Sequence, residues 1–340
     1  MGAIGVLTAG GDCPGLNAAI RGVVTRLTAE GRTVIGIEEG WQGLMGGTTR
    51  PLTREDVRGV LGRGGTILGT SRRDPYVHGN GFESLREALE RLDIETVIVI
   101  GGDGSLRTGA KLHADGLQVV GVPKTIDNDI AHTDVSLGFH TAVQIVVDAI
   151  DRLTTTAESH NRVMVVEVMG RTAGWIAVAG GMAGGAEAIL VPEVEVDFGD
   201  LARRIKMRHT EGHDYSLVVV AEGTPGPSGQ VVSSGIDQFG FSRIGGVCHN
   251  VASELERLTG FEARPVILGY LQRGGSPTAY DRILGTRFGV RAAEVAMGDE
   301  SGVMVALRGD VIETVDLAAA TAEPRNLDLE RFDEAAWFFA

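Results

Sequence analysis

The stretch TVIVIGGDGS, residues 96–105, decides how the chain is read. Its first half is a β-branched run without a charge, the pattern of a parallel strand covered on both faces. Three glycines then surround one carboxylate. A tight turn with an aspartate cap needs only one of them. Gly101, Gly102 and Gly104 together point to backbone that an anion approaches closely. Open α/β sheets bind ligands at the carboxyl ends of their strands, where Asp103 can hold a magnesium ion bridging phosphate oxygens.

The same arrangement recurs in both directions. A strand at 4–7 runs into TAGGDCPG, residues 8–15, and then into a helical pattern over 16–30. There Ile20, Val23, Val24 and Leu27 share a face, and Gly31 suits the helix end. Neither G-x-x-x-x-G-K-[ST] nor G-x-G-x-x-G is present, which disfavours a P-loop and a dinucleotide fingerprint. A strand at 118–122 runs into PKTIDND, residues 123–129. Asp127 and Asp129 can divide the work of base and metal neighbour, and Lys124 adds a point charge suited to phosphate. The alternative is a solvated acidic turn. A strand at 163–168 runs into MGRTAG, residues 169–174, with Arg171 at the start of a helix. Arg162 opens that strand, Arg72 and Arg73 follow the strand-like TILGT, and Arg273 precedes two glycines in LQRGGSP, residues 271–277. A lone arginine is most often a solvated charge. Four sites beside strand ends or glycine turns read as anion clamps.

Further strands are expected at 33–37, 189–191, 217–220 and 266–268, and helices at 82–92, 137–153, 243–258 and 278–297. Alternating strands and helices imply right-handed crossovers and parallel sheets. Residues 223–240 read as a surface loop with a short hairpin, and residues 326–339 as a final amphipathic helix.

Composition narrows the function. A chain of 340 residues suggests about two domains. Its 50 glycines are about 15% of the chain, twice the usual share of about 7%, without a G-X-Y period. A net charge of −14 argues against a broad nucleic-acid surface. Cys13 and Cys248 have no zinc or redox spacing and fit a reducing compartment, with Cys13 filling space. Gly212 between His209 and His213 makes a surface pair out of an i,i+4 metal spacing. No signal peptide, myristoylation pattern or membrane span is read, so a soluble cytoplasmic protein is expected.

In order, GGDCPGLNAAIRG, GGDGS, PKTIDND, VEVMGR and LQRGGSPTAYDR resemble the bacterial type of 6-phosphofructokinase, from the first strand to about residue 300. GGDG alone also occurs in NAD and diacylglycerol kinases. TIDND followed by MGR and QRGG is far more specific. The resemblance implies an α/β phosphofructokinase fold with two Rossmann-like three-layer lobes, mainly parallel sheets and the active site between them. It implies a nucleotide lobe of 1–138 plus about 272–303, and a fructose 6-phosphate lobe of 139–271 plus about 304–325, with 326–340 as a terminal helix. It also implies transfer from MgATP to the 1-hydroxyl of fructose 6-phosphate by a homotetramer, without nucleic-acid or membrane partners.

The implied roles follow residue by residue. Asp127 matches the general base, and Asp103 the magnesium carboxylate with Asp129 near the metal's water shell. Arg171, Thr125 and the Gly11 backbone match groups that stabilise the transferring phosphoryl. Arg72, Arg73, Gly102, Asp103, Gly104 and Ser105 match the nucleotide side. Met169, Gly170, Glu222 and Arg273 match the sugar-phosphate side, while Arg162 and Arg264 match arginines reaching it from a neighbouring subunit. Tyr270 stands where the family often has histidine. Pyrophosphate users typically carry Asp at the position of Gly104 and Lys at that of Lys124, whereas common ATP users carry Gly at both. The mixed pair here favours ATP, with pyrophosphate as the rival donor. An NAD or lipid kinase and a non-catalytic sensor are more distant rivals. Arg21, Arg54 and Glu187 match the regulatory site, but Thr25, Thr154, Glu211 and His213 replace its other basic groups. Weak or altered effector control is expected.

Overall fold

The computed structural model describes residues 2–77, 81–236 and 242–339. It divides into two compact units, Met1–Thr141 with Arg273–Pro324 and Ala142–Gln272 with Arg325–Ala340. The first begins with β1 (Ala3–Ala9), buried along its whole length. Helix α1 (Leu16–Ala29) starts from Gly15, whose φ of 105° a side chain would strain and whose added Cβ would lie 2.8 Å from Leu137. Then come β2 (Val34–Ile37), α2 (Gly40–Gly46), β3 (Thr49–Pro51), α3 (Gly81–Arg91), β4 (Ile94–Gly101), α4 (Asp103–Ala114) and β5 (Gln118–Pro123).

Helix α5 (Phe139–His160) leads into the second unit. There follow β6 (Val163–Val168), α6 (Trp175–Ala183), β7 (Ala188–Leu190), α7 (Phe198–Thr210) and β8 (Ser216–Ala221). Next are the hairpin strands β9 (Ser233–Ile236) and β10 (Ser242–Ile244), then α8 (Val247–Thr259) and β11 (Ala263–Ile267). The sheet is parallel, in the order β11-β6-β8-β7. Strands β6 and β8 are wholly buried, as expected where both faces are covered. One buried charge in β6 is accounted for: the Glu167 carboxylate accepts the N–H groups of Gly246 at 2.8 Å and Cys248 at 3.0 Å, capping α8. Part of the 223–240 loop, residues 237–240, lies outside the described residues.

The chain returns to the first unit with α9 (Ala279–Ala296), β12 (Val303–Arg308), β13 (Val311–Asp316) and α10 (Leu317–Ala320). Its seven-stranded sheet has the order β13-β12-β5-β4-β1-β2-β3, parallel except for the two edges. Val97 and Val99 pack in a core with Leu44 of α2, Leu85 of α3 and Leu106 of α4. Ile98 and Ile100 point to the opposite face by strand alternation, the face on which α9 packs. Helices α1 and α9 touch backbone to backbone: an added Cβ on Gly289 would sit 2.2 Å from the Ala19 carbonyl. A share of the glycine excess therefore serves helix packing.

Several expectations are corrected. Residues 304–325 do not join the second lobe, because β12 pairs with β5 in parallel and β13 extends the same sheet, leaving only Arg325 of that stretch in the second unit. TILGT forms turns instead of a strand. Arg243 lies in β10, and α8 starts only at Val247. The final helix is shorter than read: α11 (Leu329–Ala336) sits in the second unit, capped by the Asp328 side chain.

Candidate active site

In the first unit β1, β4 and β5 end side by side. Strand order reverses around β1, which has β2 on one side and β4 on the other, and ligand crevices open at the carboxyl ends of such a reversal. Gly102 stands before α4, so Asp103, Gly104 and Ser105 form a first helical turn with unsatisfied N–H groups. Apart from its chain neighbours and the backbone of α4 itself, no described atom lies within 4 Å of a Cβ built on Gly104. Thr70 Oγ1 donates to the Gly10 carbonyl at 2.6 Å, and the Gly10 N–H donates to the Ser71 carbonyl at 2.9 Å. These bonds bring the exposed Arg72 and Arg73 next to the β1 turn.

Lys124 is buried beneath that turn. Its ammonium donates to the Ala9 carbonyl at 3.0 Å and also to the Gly11 carbonyl. Burial lowers its pKa from 10.5 to about 8. Thr125, Asp127 and Asp129 are also buried. Thr125 Oγ1 accepts the Asp127 N–H at 3.1 Å, and Asn128, at φ 55°, accepts the Ser136 N–H at 2.9 Å. These local bonds fold TIDND into a set turn. Asp127 Oδ1 is left buried with no hydrogen-bond partner among the described residues. Arg273 Nη1 donates to the Asp12 carbonyl at 3.3 Å, and its Nε is likewise buried and unpartnered. The chain thus seats Arg273 against Gly11 and Asp12. Cys13 is inert: burial pushes its thiol up to about 12, and its Sγ donates to the Leu137 carbonyl at 3.3 Å.

The second unit supplies a separate turn after β6. Met169 N–H donates to Gln272 Oε1 at 3.2 Å, and Arg171 N–H to Glu222 Oε1 at 3.0 Å. Gly170 has φ 141° and Arg171 φ 55°, so Arg171 lies in a left-handed turn four residues before α6, not at the helix start. A Cβ on Gly223 would sit 2.0 Å from the Arg171 carbonyl, so the backbone after Glu222 packs directly on this turn. Tyr270 projects from the short turn that carries Gln272 and is 82% exposed. Arg162 lies at the opposite end of β6, where its Nε donates to Glu262 at 2.7 Å and Arg264 binds the same carboxylate. A six-residue strand spans about 20 Å, so within the unit Arg162 cannot serve the same phosphate as Arg171.

Two residues of these sites were not read from the sequence. Gln272 carries no signal beyond its place in LQRGG. Arg107 Nη2 lies 2.8 Å from both Asp103 oxygens, and its i,i+4 spacing was a usable signal. Among the described residues no cluster of three or more His, Cys, Asp or Glu could cage a metal. A magnesium ion fits here nonetheless, since it uses one or two carboxylates together with substrate phosphates, and the Asp103 side chain stays 24% exposed.

The family model for phosphofructokinase matches residues 3–296. The chain belongs to the phosphofructokinase family. A pyrophosphate–fructose 6-phosphate 1-phosphotransferase of Amycolatopsis methanolica is 50% identical over 99% of each chain. The ATP-dependent 6-phosphofructokinase 3 of Streptomyces coelicolor is also 50% identical, over 98% of each chain. Among solved structures, Pichia pastoris phosphofructokinase in the T-state aligns with a TM-score of 0.85 and 31% identity, covering 94% of this chain. This chain spans 37% of the Pichia chain. The phosphofructokinase fold, with its two mainly parallel sheets, is therefore the fold of this chain. No helix among the described residues is long and apolar enough to cross a membrane.

Proposed function

We propose that the chain transfers a phosphoryl group from MgATP to the 1-hydroxyl of fructose 6-phosphate, giving fructose 1,6-bisphosphate and ADP in glycolysis. The donor assignment rests on the open space at Gly104. A donor longer than pyrophosphate can pass there without meeting a side chain. Lys124 does not oppose this reading, because its ammonium is already engaged by the Ala9 and Gly11 carbonyls. Both donors occur in the names of relatives at equal identity, so overall similarity does not discriminate between them.

Asp127 is the proposed base. Its unpartnered Oδ1 needs a donor, and the sugar hydroxyl supplies one on the way to losing its proton. Arg171, the Thr125 hydroxyl and the Gly11 N–H oppose charge on the transferring phosphoryl, the kind of positioning and electrostatics on which phosphoryl transfer relies. Arg72, Arg73 and the start of α4 serve the nucleotide. Met169, Gly170, Glu222, Tyr270 and Arg273 serve the sugar phosphate. Magnesium, held by Asp103 with Asp129 near its water shell, would neutralise charge on the donor phosphates. Arg162 and Arg264 are assigned to the sugar phosphate of a neighbouring copy, in keeping with their place at the far end of β6, and a homotetramer is proposed on that ground. A cytoplasmic setting agrees with two free, buried cysteines.

The deciding test is a coupled assay for fructose 1,6-bisphosphate with ATP or pyrophosphate as donor. Clear preference for ATP is expected, and equal or better turnover with pyrophosphate would overturn the donor assignment.

Two further results are expected. Arg208 pairs with Glu187 at 2.6 Å, and Arg54 donates to Thr28 Oγ1 at 3.1 Å, so the chain itself engages two of the positions matched to effectors. Titration with phosphoenolpyruvate or ADP should shift fructose 6-phosphate affinity by less than the roughly fivefold of a working allosteric coupling. Strong sigmoidal inhibition would contradict this. The second concerns pH. The folded pKa of Lys124 lies below its unfolded value, so between about pH 8 and 10.5 only the unfolded chain keeps that proton. The stability contribution of Lys124 therefore rises with pH over that window. Activity moves the opposite way, because charge beneath the anion-binding turn is lost. The expected pH profile of kcat/KM for the donor falls about tenfold per unit above pH 8, and this limb is absent in Lys124→Met.

A further inference from the structure

Arg171 sits in a backbone conformation that costs a residue with a side chain about 1 kcal/mol or more, so its turn must be held from outside. One side is held by Glu222 and Gln272. The turn closes through the Ala173 N–H on the Gly170 carbonyl at 2.9 Å and ends at Gly174. Gly174 donates its N–H to Glu193 Oε1 at 2.9 Å, and the same oxygen accepts the Leu327 N–H at 3.2 Å. A Cβ on Gly174 would lie 2.5 Å from Val191 and 2.9 Å from Glu193, so both side chains close directly on this backbone. The next residue, Trp175, is buried and donates its indole N–H to the Arg325 carbonyl at 3.2 Å. The Arg325 guanidinium lies 4.3 Å over the same ring.

Residues 325–327 therefore grip 174–175 through one shared carboxylate, one indole hydrogen bond and one cation–π contact. Trp175 and Leu327 are themselves buried, but the rest of the segment adds little to the core. Trp337 and Phe338 near the end of the same segment are 87% and 72% exposed, and Ala335 is the one buried residue of α11. The contacts converge on the single step between the Arg171 turn and α6.

We propose that Glu193 and Trp175 are positioning residues, through which the 325–327 segment holds the Gly170–Arg171 turn in register for the sugar phosphate. This rests on the assignment of that turn to fructose 6-phosphate. Neither side chain touches substrate. Each acts through the Gly174–Trp175 backbone, which fixes where Arg171 and the N–H groups of its turn point. Small displacements of such groups are expensive, since a misplacement of about 1 Å can cost about 100-fold in rate.

The test uses full-length variants and the steady-state constants for both substrates. In Glu193→Ala the KM for fructose 6-phosphate should rise about tenfold and kcat should fall with it, because Arg171 also serves the transferring phosphoryl, while the donor KM changes by less than about twofold. Glu193→Gln keeps one acceptor oxygen and should recover most of that loss. Trp175→Phe keeps the ring but not the donor, and should raise the same KM about threefold. The Glu193→Ala/Trp175→Phe double variant should fall short of the product of the single effects, because both act on one step. A purely structural role would lower the melting temperature and leave the split between the two KM values unmoved, which would overturn the inference. Unchanged fructose 6-phosphate KM in a folded Glu193→Ala would do so too, and where Glu193→Ala does not fold, unchanged KM in Trp175→Phe would. Failure of the wild-type chain to phosphorylate fructose 6-phosphate would instead remove the assignment beneath it.

Discussion

Asp127→Ser should lower kcat by about three orders of magnitude with either donor, while both KM values move by less than about threefold. Asp127 Oδ1 is buried without a partner, a costly state for a carboxylate oxygen unless substrate completes it. Its orientation is set locally, because its own N–H is tied to Thr125 Oγ1 and Asn128 holds the turn through Ser136. Serine is smaller and fits the same space, so the fold should persist by circular dichroism. It cannot take the proton of the attacking hydroxyl, and the loss therefore appears in the chemical step. An unchanged rate would remove both the base assignment and the reading of the chain as this enzyme. A comparable loss of binding without loss of kcat would recast Asp127 as a substrate ligand.

Gly104→Asp should reduce kcat/KM for ATP by about 100-fold or more and change pyrophosphate use by less than about threefold. Two unit charges 4 Å apart at an effective dielectric of about 20 repel by about 4 kcal/mol, enough for that factor even after partial screening. The substitution itself should be well tolerated. Gly104 lies in the first turn of α4, where an added Cβ meets nothing within 4 Å beyond its own helix and chain neighbours, and an aspartate near a helix N-terminus is favoured. The loss would thus fall on donor choice and leave the melting temperature nearly unchanged. Equal losses with both donors would show that position 104 acts on something common to them.

Much of the proposed donor side was legible in the residues because its signals are local. A β-branched run followed by glycines and a carboxylate is a strand, a turn and a helix start, whatever surrounds it. Asp103, Gly104 and Asp127 could be picked out on that ground, whereas Thr125 came only with the family resemblance. The strand-like TILGT misled because β-branched residues also occupy turns tied to a neighbouring strand, here through Thr70 and Gly10. The 304–325 stretch misled because sheet membership depends on which strand edge is free. The edge of β5 was free, and β12 took it.

The sequence by itself determined the α/β class, the family and the strand ends proposed to carry the chemistry, since each rests on short stretches whose meaning does not depend on distant residues. Only the tertiary structure decided what those residues touch. Lys124 looked like a free point charge for phosphate, yet it meets carbonyls of Ala9 and Gly11, more than a hundred residues earlier in the chain. Gly289 falls inside the helix read over 278–297, and only the structure shows that it admits α1 against α9. Leu327 looked like part of a peripheral helix, yet its N–H shares a Glu193 oxygen with the end of the Arg171 turn. These contacts join elements far apart in the chain, and no local pattern encodes them. They form because buried backbone polar groups must find partners, and the fold alone determines which partners are within reach.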